Sequence, residues 1–186
     1  VAITGASGAA YGARLLHLTV ARGAEVDLVV SDWGRETLRR ECDLEYDPDR
    51  AGGGLVAGEG AGRVRCHRVD DLGAPPATGS ARWEGMCVIP CSMGTLGRIA
   101  AGTGDNLIVR SAEVALKERR RLVLVPRETP LSLLDLRNMT ALAEAGAVIL
   151  PAMPAFYDRP QQVADLVNFV AERALTLLGL GREKEA

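Results

Sequence analysis

Histidine, aromatic side chains and net charge are all scarce in this 186-residue chain, and each scarcity closes a route. Only His17 and His67 supply imidazole. The four cysteines, Cys42, Cys66, Cys87 and Cys91, show neither the paired spacing of a zinc site nor a dense disulfide framework. A metal centre is therefore not expected, and the thiols read as reduced, as in a cytoplasmic protein. Aromatic residues make up 4% of the chain and no basic patch is interleaved with them, so nucleic-acid binding is not expected either. A net charge of −2 selects no polyelectrolyte partner. No apolar run approaches the roughly 20 residues that span a membrane, and no signal peptide is visible. No Ser-His-Asp or Cys-His triad can be assembled. The chain opens at Val1, without methionine and already inside an apolar strand, and is expected to lack its natural first residues.

What is present is an apolar content of 47%, enough at this length for one domain, residues 1–186, with a sizeable core. Val1–Thr4 reads as a strand, Gly5–Gly8 as a turn, and Ala9–Ala21 as a helix with Gly23 just past its end. Val26–Val30 is a strand ending at Ser31, and Trp33–Cys42 a helix. Ala51–Gly62 is dense in glycine and reads as a mobile surface loop. A short strand at Arg65–Val69 precedes irregular chain at Pro75–Ser80. Strands then follow at Met86–Pro90, Leu122–Val125 and Ala147–Leu150. Helices are expected from Ser92 toward Ala101, over Asp105–Glu118, Leu131–Ala145 and Gln161–Leu178. This alternation defines a single three-layer α/β domain with a doubly wound, mostly parallel sheet. Lys117, Arg119, Arg120 and Arg121 read as a solvated helix end.

The junction after Leu122-Val123-Leu124-Val125 carries the most information. A continuous apolar run is a central strand covered on both faces. In open α/β sheets ligands lie outside the strand carboxyl ends, and there this chain places Arg127 and Glu128 between Pro126 and Pro130. The pair either meets a ligand or caps the next helix as a surface ion pair. Two strand-to-helix turns, Gly5-Ala6-Ser7-Gly8 and Ser92-Met93-Gly94-Thr95, suit a phosphate or simple helix capping. Neither matches the dinucleotide or Walker fingerprint. Ser31 could bind ligand or cap its helix. Arg173 falls by spacing on the stripe Val163, Leu166, Val167, Val170, Ala174, Leu177 and Leu178, where it must snorkel, pair, or reach a pocket or interface. Phe156 and Tyr157 form either an aromatic plug on the core or a phenol donor to ligand. Cys91 suits a small buried residue at least as well as a reactive one.

Together, Gly5-Ala6-Ser7-Gly8-Ala9, Pro90-Cys91-Ser92-Met93-Gly94-Thr95, Asp105-Asn106-Leu107-Ile108, Leu116–Arg120, Leu122–Leu131, Asn138-Met139 and Pro154-Ala155-Phe156-Tyr157 resemble the flavin prenyltransferase family. These are UbiX/Pad1-like proteins, formerly described as aromatic-acid decarboxylases. The resemblance implies a Rossmann-like fold of the flavoprotein type and metal-independent transfer of a dimethylallyl group from dimethylallyl phosphate to reduced FMN. A new ring then joins the central flavin nitrogen to the neighbouring benzenoid carbon, and the prenylated FMN serves a UbiD-type decarboxylase. A homo-dodecamer with sites at subunit interfaces is also implied.

Carried over by position, Gly5, Ala6, Ser7, Ser31, Ser92, Met93, Gly94, Thr95 and Arg127 contact FMN. Lys117, Tyr157 and Arg173 hold the dimethylallyl phosphate, with Arg110 close by. Glu128 is the acid–base residue, and Ser7 with Glu41 completes a proton relay. Loss of phosphate from an allylic carbon leaves a cation, so such a site needs donors on the leaving group and a dry apolar pocket. Ala51–Gly62 departs from the family pattern, as does Leu72, where some members carry a tryptophan that lines the prenyl pocket. Two other readings are an FMN-dependent decarboxylase of a small acid or peptidyl cysteine, which would use a histidine near the flavin, and a non-catalytic FMN carrier.

Overall fold

The computed structural model describes residues 1–181. Its strands are β1 (Ala2–Ile3), β2 (Val26–Val30), β3 (Val64–His67), β4 (Gly85–Cys91), β5 (Arg121–Pro126) and β6 (Val148–Ile149). Its helices are α1 (Ala9–Ala21), α2 (Asp32–Cys42), α3 (Met93–Ala101), α4 (Leu107–Lys117), α5 (Leu133–Glu144) and α6 (Val163–Leu177). The strands form one six-stranded sheet in the order β3-β2-β1-β4-β5-β6. Every pairing is parallel. The chain therefore winds outward from β1 to β3, returns past its start to β4, and winds outward the other way. That reversal opens a crevice between the carboxyl ends of β1 and β4, the usual ligand position in such sheets.

The period of two along each strand sorts the core into two layers. Ala2, Val29, Met86, Val88, Leu122 and Leu124 face α3, α4 and α5, where they meet Leu96, Ile99, Leu107, Ile108, Met139 and Leu142. Ile3, Leu28 and Val30 face the other way, onto Ala9, Ala13 and Leu16 of α1 and Leu38 of α2. Cys87, Ile89, Val123 and Val125 share that side with Val170, Ala171, Ala174 and Leu175 of α6. Leu122 through Val125 are all fully buried, as a central strand covered on both faces requires.

Three expectations are corrected. Ala51–Gly62 does not form a loose loop: it folds into two tight 3-10 turns, and Gly52, Gly53, Leu55 and Val56 are buried against β2 and β3. Glycine serves close packing there, since a Cβ on Gly53 would stand 2.8 Å from the Tyr46 ring. The basic cluster is not wholly solvated, because the Arg120 guanidinium lies 4.3 Å over the Trp83 ring and donates to the Gly79 carbonyl. Arg173 is exposed. The buried face of α6 is Val170, Ala171, Ala174 and Leu175, while Val163 is 75% exposed, so the stripe lies rotated away from the one the spacing suggested.

Candidate active site

The crevice is built around Thr4, at the end of β1. Its buried hydroxyl donates to the Pro90 carbonyl at 2.8 Å and accepts from the Ser92 N–H at 2.8 Å. The exits of β1 and β4 are thereby fixed side by side. Beyond them lies a cleft of about 490 Å³, lined by Gly5, Ser31, Asp32, Trp33, Val69, Ser92, Gly94, Thr95, Arg98, Asp105 and Asn106. A Cβ on Gly5 would stand 2.3 Å from Trp33 Cβ, so glycine lets the β1 exit lie flush against the start of α2.

Three helices begin at this cleft. Ser31 Oγ accepts from Gly34 N–H at 3.0 Å, Ser92 Oγ from Thr95 N–H at 3.3 Å, and Asn106 Oδ1 from Val109 N–H at 3.1 Å. Each cap satisfies one first-turn donor and leaves others open. Among the described residues, the N–H groups of Asp32 and Trp33 on α2 and of Met93 and Gly94 on α3 have no backbone or side-chain partner. Open donors and positive helix ends at one cleft make a place for an anion.

The N-terminus of α1 is different. Its Gly8 and Ala9 N–H groups already donate to Glu41 Oε2, at 2.7 and 3.0 Å. The chain has filled this helix end with its own carboxylate, so the Gly5–Gly8 turn is not a free phosphate cradle. Partial burial opposes ionisation of Glu41. Hydrogen bonds from Gly8, the Ser7 hydroxyl and Ala9, with the Arg127 charge, outweigh it and hold the pKa below the ordinary 4.5. A depressed folded pKa contributes stability above the unfolded value of 4.5, and that contribution is lost as pH falls through the lower folded value. Glu41→Gln is therefore expected to lower the melting temperature at pH 7 and to flatten its fall between neutral and acid pH. Parallel melting curves for the two proteins across that range would remove this role.

Arg127, at the exit of β5, donates through Nε to the Ser7 carbonyl at 3.0 Å. Glu128 accepts from Thr129 N–H at 3.0 Å and is exposed. The two neighbours thus take different partners. They do not cap α5, which starts with its own Ser132–Asp135 capping box. Ser7, Glu41 and Arg127 come together from three separate segments, and Ser31, Ser92, Gly94 and Thr95 meet across the cleft. Ala6 is buried in the same turn, and Met93 packs against the core at the start of α3.

Two phosphate-binding candidates stand elsewhere. Lys117 ends α4, a crossover helix that runs back toward the amino end of the sheet, and pairs with Glu118 at 2.8 Å. Six residues of β5 at about 3.3 Å each put roughly 20 Å between that end and Arg127. Arg110 is engaged with the Ala77 carbonyl at 3.1 Å and with Glu113 at 3.5 Å. Tyr157 is 77% exposed and Phe156 71%, so they do not plug the core. The Tyr157 ring meets Phe169 edge-on at 6.1 Å, and Arg173 follows Phe169 by one turn on α6, so the phenol and the guanidinium share a helix face.

Cys91 is fully buried, and burial pushes its thiol pKa up, so it is a packing residue rather than a nucleophile. A second cavity, of about 510 Å³, lies at the amino end of the sheet beside Val1, Asp27 and Met86, and holds none of the candidate flavin- or phosphate-binding residues. The lining of the cleft adds six residues that were not among the site candidates read from the sequence: Asp32, Trp33, Val69, Arg98, Asp105 and Asn106. The Asp-Asn pair before α4 is a visible capping signal, whereas Trp33 and Arg98 carry none.

A doubly wound parallel sheet with open helix N-termini at its reversal point is the class of fold whose crevice suits a phosphate-bearing ligand. The Flavoprotein family model matches residues 1–175. The chain is 47% identical to the flavin prenyltransferase UbiX of Halalkalibacterium halodurans, over 98% of this chain and 89% of that protein. It superposes on the crystal structure of AnUbiX (PadA1), in complex with FMN and dimethylallyl pyrophosphate, with a TM-score of 0.85 and 40% identity; the match covers 100% of this chain and 95% of that one. A dodecameric FMN-dependent UbiX-like decarboxylase from Escherichia coli O157:H7 gives a TM-score of 0.86 and 41% identity, over 100% of this chain and 95% of that one. The chain belongs to the Flavoprotein family, among the UbiX flavin prenyltransferases. Among the described residues no helix is long and apolar enough to cross a membrane, and no cluster of His, Cys, Asp and Glu could hold a metal ion.

Proposed function

We propose that this chain binds reduced FMN in the cleft at the β1–β4 reversal and transfers to it the dimethylallyl group of dimethylallyl phosphate. The observation that carries the reading is the division of helix ends: α1 is filled by Glu41, while α2 and α3 offer unpartnered N–H groups and hydroxyls to the flavin phosphate. Ser31, Ser92, Met93, Gly94 and Thr95 hold that phosphate and its ribityl chain. Gly5, Ala6, Ser7 and Arg127 border the ring system. The bound flavin supplies the nucleophilic nitrogen and the ring carbon that take up the prenyl group.

Glu128 handles the proton, protonating the departing phosphate or accepting the ring proton on closure, and Ser7 with Glu41 relays it. Tyr157 and Arg173 donate to the leaving phosphate, and Arg110, carried on α4 like Lys117, joins them from a neighbouring copy. Lys117 cannot do so within its own chain, given its place at the far end of the sheet, so a neighbouring copy supplies it. Exposed Leu133, Leu134 and Leu136 on α5, at 63, 66 and 47% exposure, give such copies an apolar surface to share. We take the assembly to be a homo-dodecamer, the product to serve a UbiD-type decarboxylase, and the free cysteines to suit the cytoplasm.

A direct decarboxylase using a histidine finds little support in the geometry. His17 bonds the Ala13 carbonyl of its own helix and His67 bonds Asp27, and neither lines the cleft. Anaerobic incubation with reduced FMN and dimethylallyl phosphate, followed by mass spectrometry of the flavin, tests the proposal. A flavin heavier by one prenyl unit is expected. Unchanged flavin mass would leave a decarboxylase or a carrier.

A further inference from the structure

The cleft that receives the flavin phosphate has an unbalanced charge. Its lining includes two carboxylates, Asp32 and Asp105, and a single cation, Arg98. A phosphate dianion entering beside two carboxylates is opposed by them, and open helix ends carry only partial charges. We propose that Arg98 is the residue that makes this site select a phosphorylated flavin over its dephosphorylated form. This rests on the FMN reading above and adds a residue to it.

Three observations place Arg98 in that role. It lies on α3 three residues after Thr95 and four after Gly94, on the helix face that begins at the cleft. Over Gly94 there is open space, since a Cβ built there meets nothing within 4 Å, so a side chain from the next turn can lie across the helix start. Its present partner is loose: Arg98 Nη1 stands 3.8 Å from Asp105 Oδ2, with both side chains about half exposed. A pair of that kind contributes little and gives way readily to a better acceptor. A phosphate is such an acceptor, because the planar guanidinium can donate two parallel hydrogen bonds to it.

Titration of the purified oligomer with FMN and with riboflavin, which lacks the phosphate, reads this directly. Wild type is expected to prefer FMN. Arg98→Ala should weaken FMN binding about tenfold and leave riboflavin binding unchanged, and Arg98→Lys should restore part of the loss. The wild-type preference should shrink with added salt, and the slope should be shallower in Arg98→Ala. An equal loss for both flavins would make Arg98 a packing residue, and no loss for either would remove it from the site; both results overturn the inference while leaving the flavin reading intact. A wild-type protein that binds neither flavin overturns both.

Discussion

Glu128→Gln is expected to bind FMN as wild type does and to fail at ring closure. Gln keeps the size of the side chain and an oxygen that can still accept the Thr129 N–H, so the turn after β5 has no reason to move. What it cannot do is take and return a proton. Positioned general acid–base groups contribute roughly 10²–10⁴-fold, and a loss in that range is expected in turnover. Flavin mass and absorbance together separate the steps, since an attached but unclosed prenyl group adds the mass without the final chromophore. Full activity in the variant would take Glu128 out of the mechanism. Loss of FMN binding would make it a structural residue of the Arg127–Thr129 turn.

The second large effect concerns Lys117. If a neighbour's Lys117 completes each site, Lys117→Ala and Glu128→Gln are each inactive alone, yet a mixed oligomer regains activity. With random assembly of equal amounts, about a quarter of the sites combine an intact Lys117 from one copy with an intact Glu128 from another. Prenylation by co-expressed variants is therefore expected at about that fraction of the wild-type level, against almost none for either variant by itself. A mixture as inactive as its parts would place both residues in the same chain's site, and an active Lys117→Ala variant would leave Lys117 outside the chemistry. The geometry favours the shared site, because α4 carries Lys117 to the opposite end of β5 from Glu128.

That position is legible in the order of elements along the chain. In a right-handed β-α-β crossover the helix runs from the carboxyl end of one strand to the amino end of the next, so a residue in its last turn belongs to the amino end. Lys117 stands four residues before β5, and topology alone separates it from Arg127. Arg173 is harder to read. The apolar residues of α6 include Val163, Leu166 and Val167 at its start, which shift the apparent stripe. The two alanines that pack on β4 and β5, Ala171 and Ala174, are fully buried but weigh little in a reading led by large side chains. The glycine-rich stretch misleads for a related reason: glycine marks both loose chain and close packing, and only its neighbours, Tyr46 and Cys66 beside Gly53, tell which.

Local chemistry determined what is local. α1 and β2 have the bounds that the sequence pattern gives, and the other elements fall within a few residues of theirs, because period, caps and apolar runs act over a few neighbours. The ligand-facing ends of β1, β4 and β5 follow from the βαβ alternation, and the family follows from motifs spread along the chain. The tertiary structure decided which helix ends remain open. Glu41 is 33 residues from Gly8 in sequence, and no periodicity announces that its carboxylate will occupy the N-terminus of α1. Arg98 and Trp33 likewise reach the cleft only because the sheet reverses its order between β1 and β4. Pairing across such separations is set by how strands stack and helices pack. The sequence therefore determines that an anion site exists at the strand ends, and the fold alone assigns that site to its residues.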